Sequence, residues 1–457
     1  MCYNAIVVYF IFKENYFMAK VSIDLTKVIK KIKPMHATGQ PPLGGKRKLF
    51  FEPIRYLSDI GVPYSRLHDV NGSYGGNRFV DVPNIFRDFD ADENDPASYD
   101  FTFTDALITA MVNAGVEPYY RLGVTIENQS CYKAYRVYPP KDFHKWARIC
   151  EHIIAHYIDG WADGFNYDIT YWEIWNEPDD GFRGFNQDGS EYISQMWIGT
   201  KEQYYELYDI TSKHLKSRFP NIKVGGYASC GFSAIVATEE ELKEKPWYTY
   251  QIDFFHGFMQ YIKEHNSPID FFSYHTYSKT KKVIAYDKWL HEQLVAYGYE
   301  GLETHLNEWN PAHTMRGTGY HAAEVTSIML AMQNGYTDML MIYDARMQGS
   351  DYCALFDPMI HKPFHAYYAL AAFNTLYQIE TQVELKCDAE DVYAVAAYNG
   401  KRGAILISNI SEKTQTLEIE GVDLSAARWS LIDDTRLLSW SPALKSIEKN
   451  SVVLIEF

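Results

Sequence analysis

A chain of 457 residues with 47% apolar and 22% charged residues can bury a large core, and it fits one big globular domain plus a small one. The net charge of −16 argues against nucleic acid and against an anionic membrane face as partners. Cys2, Cys131, Cys150, Cys230, Cys353 and Cys387 are scattered without CxxC spacing, which fits reduced cytosolic thiols rather than a disulfide framework or a zinc site.

In chain order, Ala5 to Phe12 is apolar but has no basic segment before it and no small-residue cleavage site after it. It is also too short to cross a bilayer. The expected location is therefore the cytoplasm, with residues 1–17 an extension or an extra strand. Met18-Ala19-Lys20 resembles a second translation start. In that setting the glycosylation triplets beginning at Asn71, Asn128 and Asn409 carry little meaning. Val21 to Leu25 alternates and predicts a strand ahead of the main domain.

From Pro34 to about Asn374, short apolar strands alternate with amphipathic segments. The strands are expected at Met35–Thr38, Tyr64–His68, Glu117–Leu122, Tyr171–Asn176, Lys223–Tyr227, Phe271–His275, Glu303–Asn307 and Met339–Tyr343. Helical spacing marks Asp105–Asn113, Asp142–Ile158, Gln203–Leu215, Phe254–Ile262, Ala322–Met332 and Phe364–Leu376. Eight strand–helix pairs imply a (β/α)8 barrel, and no GxGxxG opens a helix to support a dinucleotide fold. His152 and His156 lie four apart on one helix, but no Glu follows His152 to complete a metalloprotease motif, so both are expected at the surface.

After Thr381 the strands follow one another without helices: Val392–Tyr398, Ala404–Ser408, Thr416–Glu420, Ala427–Asp433 and Val452–Phe457, with a hairpin turn at Asn399-Gly400. The expected α/β architecture is thus a (β/α)8 barrel over residues 34–375 and a C-terminal β-sandwich over 376–457. Residues 1–33 form an N-terminal extension whose strand could complete that sandwich.

Two Asn-Glu dipeptides close expected strands: Asn176-Glu177 in Trp172-Glu173-Ile174-Trp175-Asn176-Glu177-Pro178, and Asn307-Glu308 ahead of Trp309. They end the fourth and seventh barrel strands, which face each other at the mouth where catalytic groups collect. Paired carboxylates there suit glycosidic bond cleavage. A gap of about 5–5.5 Å would give double displacement with retention, and one of roughly 6.5–9.5 Å would give inversion. The high aromatic share, 16%, suits a cleft that stacks sugar rings, although large barrels bury many aromatics anyway. Arg66 and His68 alternate on one strand, as do His275 and Tyr277 on another, so each pair points into the mouth. Trp309 and Tyr343 are candidate stacking platforms.

These motifs resemble retaining glycoside hydrolases of the large (β/α)8 clan. Tyr64-Ser65-Arg66-Leu67-His68 and Ser273-Tyr274-His275-Thr276-Tyr277 narrow the resemblance to glycoside hydrolase family 39 over nearly all of residues 20–457. The resemblance implies a retaining, exo-acting enzyme with β-xylosidase activity that needs no metal or organic cofactor. Glu177 would be the acid/base, its pKa raised by the facing Glu308. Glu308 would be the nucleophile, kept ionised by hydrogen bonds and by Arg66. Asn176 would bind the sugar 2-hydroxyl, and Tyr277 would orient Glu308. His275 would hold Glu177 or the sugar.

The chain departs from the family pattern at Arg121, where xylosidases carry an acid, at Asp69-Val70-Asn71, and in the run from Asp179 to Arg183. These positions build subsites and bear on which sugar is accepted. The alternatives are a β-galactosidase, β-glucosidase or iduronidase-like specificity, with Arg121 or Arg183 favouring a carboxylated sugar, or a non-catalytic carbohydrate-binding barrel. The expected partner is an oligosaccharide or an aryl or alkyl glycoside. Homo-oligomerisation is left open.

Overall fold

The computed structural model describes residues 17–44, 51–70, 80–126, 137–181, 193–311, 313–347 and 352–457. Residues 1–16, the triplets beginning at Asn71 and Asn128, Cys2, Cys131 and Arg183 lie outside the described residues.

The first strand, β1 (Phe17–Lys31), belongs to a sheet made mostly from the C-terminal region. Eight parallel strands then close into a barrel in chain order: β2 (Ala37–Gly39), β3 (Tyr64–Leu67), β4 (Glu117–Leu122), β5 (Tyr171–Ile174), β6 (Lys223–Ser229), β7 (Phe271–Thr276), β8 (Glu303–Trp309) and β9 (Met339–Ile342). Each leads into a helix. Beyond the expected segments, the structure adds Thr280–Tyr297 after β7 and the short Arg55–Asp59 after β2.

Local chemistry sets the helix starts. Asp142 caps Phe143–Ile158 by accepting from the Lys145 N–H, and Thr200 with Gln203 forms a capping box on Lys201–Arg218. The first of these helices buries Trp146, Ile149, Ile153 and Ile154 against the barrel, the face its spacing predicts. His156 corrects the surface expectation. It is buried, with Nε2 2.9 Å from an Asp105 oxygen and Nδ1 2.9 Å from the Trp161 carbonyl.

The barrel interior is layered. Ala37, Tyr119, Tyr171, Phe271, Met339 and Met341 fill its lower part, at or near the starts of their strands. This apolar plug blocks any pore and leaves the polar side chains of the next layer facing the opposite mouth.

The C-terminal strands are β10 (Thr381–Cys387), β11 (Val392–Tyr398), β12 (Gly403–Asn409), β13 (Gln415–Glu420), β14 (Arg428–Asp433), β15 (Arg436–Ser441), β16 (Ser446–Ile447) and β17 (Ser451–Glu456). With β1 they make one nine-stranded sheet in the order β15-β14-β17-β12-β11-β10-β1-β13-β16. β1 runs antiparallel to β10 and parallel to β13. The sheet is continuous and curled: Leu417 and Ile447 near one edge share a core with Trp429 and Leu431 near the other.

Period-two alternation gives this sheet two buried faces. Ala394, Ala396, Ile405, Ile407, Val453 and Ile455 line the inside of the curl. Val395, Ala397, Ala404, Leu406, Val452 and Leu454 join the main barrel core through helices Gly319–Asn334 and His365–Ile379. Asn409, in the third glycosylation triplet, is fully buried and donates to the Lys413, Ile447 and Glu448 carbonyls, so it is no acceptor for a glycan. No described helix is long and apolar enough to cross a membrane.

Leu406 is fully buried between sheet and barrel. Leu406→Ala is expected to destabilise the protein by about 2–5 kcal/mol through lost transfer energy and a residual cavity. The shift in the urea midpoint measures it, and a loss well under about 1 kcal/mol would mean the sheet contributes little to the common core.

Candidate active site

Glu177 follows β5 by three residues, and its geometry is not that of a strand. Trp175 and Glu177 have positive φ, 73° and 47°, a region that side chains beyond Gly, Asn and Asp rarely occupy. Two hydrogen bonds hold the turn: Trp175 N–H to the Leu122 carbonyl at 2.8 Å and Glu177 N–H to the Ala228 carbonyl at 3.0 Å. The turn over Pro178–Asp180 then carries the chain away from the barrel. Backbone strain of this kind persists only where the surroundings over-determine it.

Glu308 reaches the mouth by a different irregularity. In the β7–β8 ladder Tyr274 pairs with Leu306 and His275 with Glu308, so Asn307 is an extra residue. A bulge lets two neighbours face the same side. The Asn307 amide points inward and donates to Glu173 Oε1 at 2.5 Å, and Glu308 points inward as well. Trp309 is then turned outward. It is 1% exposed and packs in the main hydrophobic core, so it is a core residue and no platform for a sugar.

Arg66 lies between the two carboxyl groups' strands. Its guanidinium donates from Nη1 to Glu308 Oε2 at 3.2 Å, from Nη2 to Asn176 Oδ1 at 2.5 Å, and from Nε to Glu173 Oε2 at 2.8 Å. The Tyr277 hydroxyl donates to the other Glu308 oxygen at 2.5 Å. His275 Nδ1 sits 2.6 Å from Glu177 Oε1 and 3.8 Å from Glu308 Oε2. One oxygen of Glu177, one ring nitrogen of His275 and one oxygen of Glu308 all lie within 4.8 Å of one another.

That trio is the only cluster among the described residues with the composition and spacing to hold a metal ion. The Arg66 cation and the Tyr277 hydroxyl already engage Glu308, however, and His275 engages Glu177. The arrangement suits proton transfer between paired acids.

Burial is the main cause of the perturbed titration. It pushes Glu177 up to about 8, and the Asp180 charge adds to it while Arg66 opposes. The expected agent was Glu308, so the cause is corrected to desolvation and Asp180. Burial also pushes Glu308 up to about 7; the Glu177 charge adds, while Arg66 and the Tyr277 hydroxyl pull it back. The Arg66 cation and the Tyr277 hydroxyl on Glu308 favour its ionised form, and the Asp180 charge favours the protonated form of Glu177. Burial lowers His275 to about 4, so its imidazole is neutral at pH 7. When Nδ1–H donates to Glu177 Oε1, Oε2 is left to carry a transferable proton.

The remaining expected residues lie around this centre. His68 is buried, its Nε2 3.3 Å from Asp69 Oδ1, and burial holds its pKa well below the usual value. The Tyr343 hydroxyl donates to Asp69 Oδ2 at 3.0 Å and receives from Arg346 Nη2 at 3.1 Å. Tyr277, 37% exposed, meets Tyr343 edge-on at 6.2 Å and packs against Tyr352 at 4.9 Å, giving one aromatic wall. Arg121 is fully buried in an ion pair with Asp81 at 2.6 Å.

Glu173 and Tyr352 are parts of this centre to which the motifs give no role, and Asp69 and Asp180, marked in the sequence only as departures from the family pattern, act on Glu177 through their charge. A single acid inside an apolar strand, such as Glu173, carries the only signal that could have been read: it must be paired if it is buried.

The sequence model of glycosyl hydrolases family 39 matches residues 21–338. The chain belongs to that family. Curated relatives include a β-xylosidase of Geobacillus stearothermophilus, 27% identical over 267 residues, which is 56% of this chain and 43% of that protein. Another is a β-xylosidase of Caldicellulosiruptor saccharolyticus, 26% identical over 228 residues, 48% of this chain and 37% of that protein. The chain thus spans less than half the length of the curated relatives it matches.

Among solved structures, a glucosidase from Croceicoccus marinus superposes with a TM-score of 0.73 at 18% identity, covering 96% of this chain and 98% of the other. A family 39 β-xylosidase from Caulobacter crescentus gives 0.64 at 18% identity, covering 96% and 99%. At this identity the likeness concerns the fold, a barrel with an appended sheet.

A raised folded-state pKa has a consequence for stability. Below about 4.5 Glu177 is protonated folded or unfolded; between there and about 8 only the unfolded chain releases the proton, so stability falls as pH rises. Glu177→Gln has no such loss. Its melting temperature is expected to exceed that of the wild type by more at pH 8.5 than at pH 5. A difference independent of pH would mean that Glu177 ionises normally in the folded protein.

Proposed function

We propose that this protein is a retaining, exo-acting β-glycosidase with β-xylosides as its first substrates. The observation that carries the reading is the approach of Glu177 and Glu308 to within 4.8 Å, oxygen to oxygen, at the barrel mouth. That spacing accords with double displacement, because inversion needs a wider gap to seat a water between sugar and base. Family membership supports the reaction class, and the likeness to two β-xylosidases supports xylose as the sugar.

In the first step Glu308 attacks the anomeric carbon while Glu177 gives its proton to the departing oxygen. Arg66 and Tyr277 hold the Glu308 carboxylate in place and favour its ionised form. In the second step Glu177 accepts a proton from water, which displaces Glu308 and releases the sugar with its configuration retained. Asn176 has its Oδ1 fixed by Arg66, and among the described residues its amide nitrogen meets only the Met196 sulfur, 4.0 Å away, so it can donate to the sugar 2-hydroxyl. The aromatic wall of Tyr277, Tyr343 and Tyr352 supplies a face for the sugar's C–H groups.

An iduronidase-like reading would use Arg121 for a sugar carboxylate. The buried Asp81 already neutralises that guanidinium, which disfavours it. A non-catalytic barrel would have no use for two carboxyl groups brought this close at its mouth and held by Arg66, Tyr277 and His275.

Glu308→Ala is expected to lower kcat on an aryl β-xyloside roughly a thousandfold or more. Azide should restore turnover and give a glycosyl azide of inverted configuration. Undiminished hydrolysis by the variant would remove Glu308 from the reaction. If a panel of aryl β-glycosides ranks glucoside or galactoside above xyloside, the sugar assignment moves and the mechanism stands.

The wild-type rate should be bell-shaped in pH. Activity should rise as Glu308 ionises near about 7 and fall as Glu177 loses its proton near about 8. A profile flat from pH 5 to 9 would contradict the acid–base assignment.

A further inference from the structure

One buried carboxylate at the centre takes no part in the displacement itself. Glu173 lies on β5, four residues before Glu177, and is fully shielded from solvent. Its Oε2 receives Arg66 Nε at 2.8 Å and lies in ion-pair contact with Arg66 Nη2 at 2.7 Å. Its Oε1 receives the Ser273 hydroxyl at 2.6 Å and the Asn307 amide at 2.5 Å. Three donors, one each from β3, β7 and β8, thus converge on one side chain of β5.

We propose that Glu173 is a positioning residue for the glycosidase reaction: it occupies one edge of the Arg66 guanidinium, so that the same cation can orient Glu308 and Asn176 without capturing either. The proposal rests on the reading of Glu177 and Glu308 as the catalytic pair.

Geometry carries the argument. A guanidinium offers two-pronged edges and prefers to meet a carboxylate with one of them. Here the Nε–Nη2 edge is given to Glu173, and Glu308 receives only Nη1, in a single bond of 3.2 Å. A nucleophile gripped by both prongs would have its lone pairs committed to Arg66. With Glu173 removed, the fork is free to turn onto Glu308, and Asn176 Oδ1 loses its fixed donor. Ser273 and Asn307 hold Glu173 from the other side, so the carboxylate cannot follow Arg66 if the cation moves.

Charge supports the same assignment. The groups facing this layer include Arg66 from β3 and His68 just after it, Tyr119 and Arg121 from β4, Glu177 beyond β5, Tyr204 from helix Lys201–Arg218, His275 from β7 with Tyr277 just beyond it, and Glu308 from β8. Asp69 and Asp180 act on Glu177 from outside it. Arg121 is committed to Asp81, which leaves Arg66 as the cation shared among Glu173, Glu177 and Glu308. Removing the Glu173 carboxylate takes one negative charge from this group, so both catalytic carboxyl groups should release their protons at lower pH.

The test is steady-state kinetics of Glu173→Gln and Glu173→Asp on an aryl β-glycoside that the wild type cleaves, read across pH. Glu173→Gln is expected to lower kcat about tenfold or more, to keep KM within about threefold, and to move both limbs of the profile down by about half a unit or more. Glu173→Asp keeps the charge but shortens the reach, so its limbs should stay at the wild-type positions while kcat remains low. Unmoved limbs in Glu173→Gln, or the same profile in both variants, would overturn the assignment and leave Glu173 a structural residue.

If circular dichroism shows that Glu173→Gln does not fold, Ser273→Ala loosens the same carboxylate without removing its charge. There kcat should fall about threefold or more with KM nearly constant, and an unchanged kcat would overturn the proposal. Loss of activity in Glu308→Ala, alongside unaffected Glu173 and Ser273 variants, would spare the catalytic reading and sink this one alone. A wild type with no turnover on any glycoside would remove both.

Discussion

A single buried guanidinium organises the barrel mouth. Arg66 is 1% exposed and touches Glu173, Asn176 and Glu308, three side chains that the backbone delivers from two different strands. Burying an arginine costs several kcal/mol unless its charge is paired and its donors are used. The barrel meets that condition only when β3, β5 and β8 are in register. The ion cluster therefore couples the closed barrel to the placement of the reactive groups: a shift that misplaced one carboxyl group would also strand a buried charge.

Regular strands could not have built this centre. Period-two alternation sends neighbours to opposite faces, yet Asn307 and Glu308 must both face inward, one to Glu173 and the other to the substrate side. The extra residue at Asn307 resolves the conflict, and left-handed backbone at Trp175 and Glu177 does similar work on β5. Both distortions occur where the strands leave the barrel. There a broken ladder costs fewer hydrogen bonds, and the apolar layer from Ala37 to Met341 keeps the lower barrel regular.

These distortions explain what could be read from the sequence and what could not. The barrel strands and most helices announce themselves by apolar periodicity, because burial on a strand or a helix face leaves a repeating mark. Asn-Glu at two strand ends is legible because acids at such positions are rare without a chemical reason. The bulge at Asn307 leaves no composition signal, since it is set by pairing with β7, and so Trp309 was expected on the wrong side of β8. His156 was expected at the surface because its partner Asp105 comes from another helix. The C-terminal β domain is legible from its alternating strands, and the strand near Val21 does complete it; β10, β15 and the two-residue β16 are the strands that the alternation does not mark. Glu173 was passed over because its role depends on Arg66, Ser273 and Asn307, which only the closed barrel brings to it.

Glu177 and Glu308 occur in the same dipeptide, at the ends of strands of one barrel, and Glu308, the lower of the two in pKa, is the less exposed, 8% against 17% for the side chain. Their difference must come from neighbours. Glu308 has a cation on one oxygen and a phenol on the other, both of which stabilise its negative form. Glu177 has a neutral imidazole on one oxygen and the like charge of Asp180 nearby, an environment that favours its protonated form. Asp180 is itself fixed, accepting from the Ser194 hydroxyl at 3.0 Å and from the Gln195 N–H at 3.2 Å. The run Pro178–Asp180 therefore does more than end the strand: it places a negative charge that favours the protonated form of Glu177. In the proposed reaction two identical side chains take two roles because Glu308 bonds Arg66 and Tyr277 directly, whereas Glu177 meets the His275 imidazole and the like charge of Asp180.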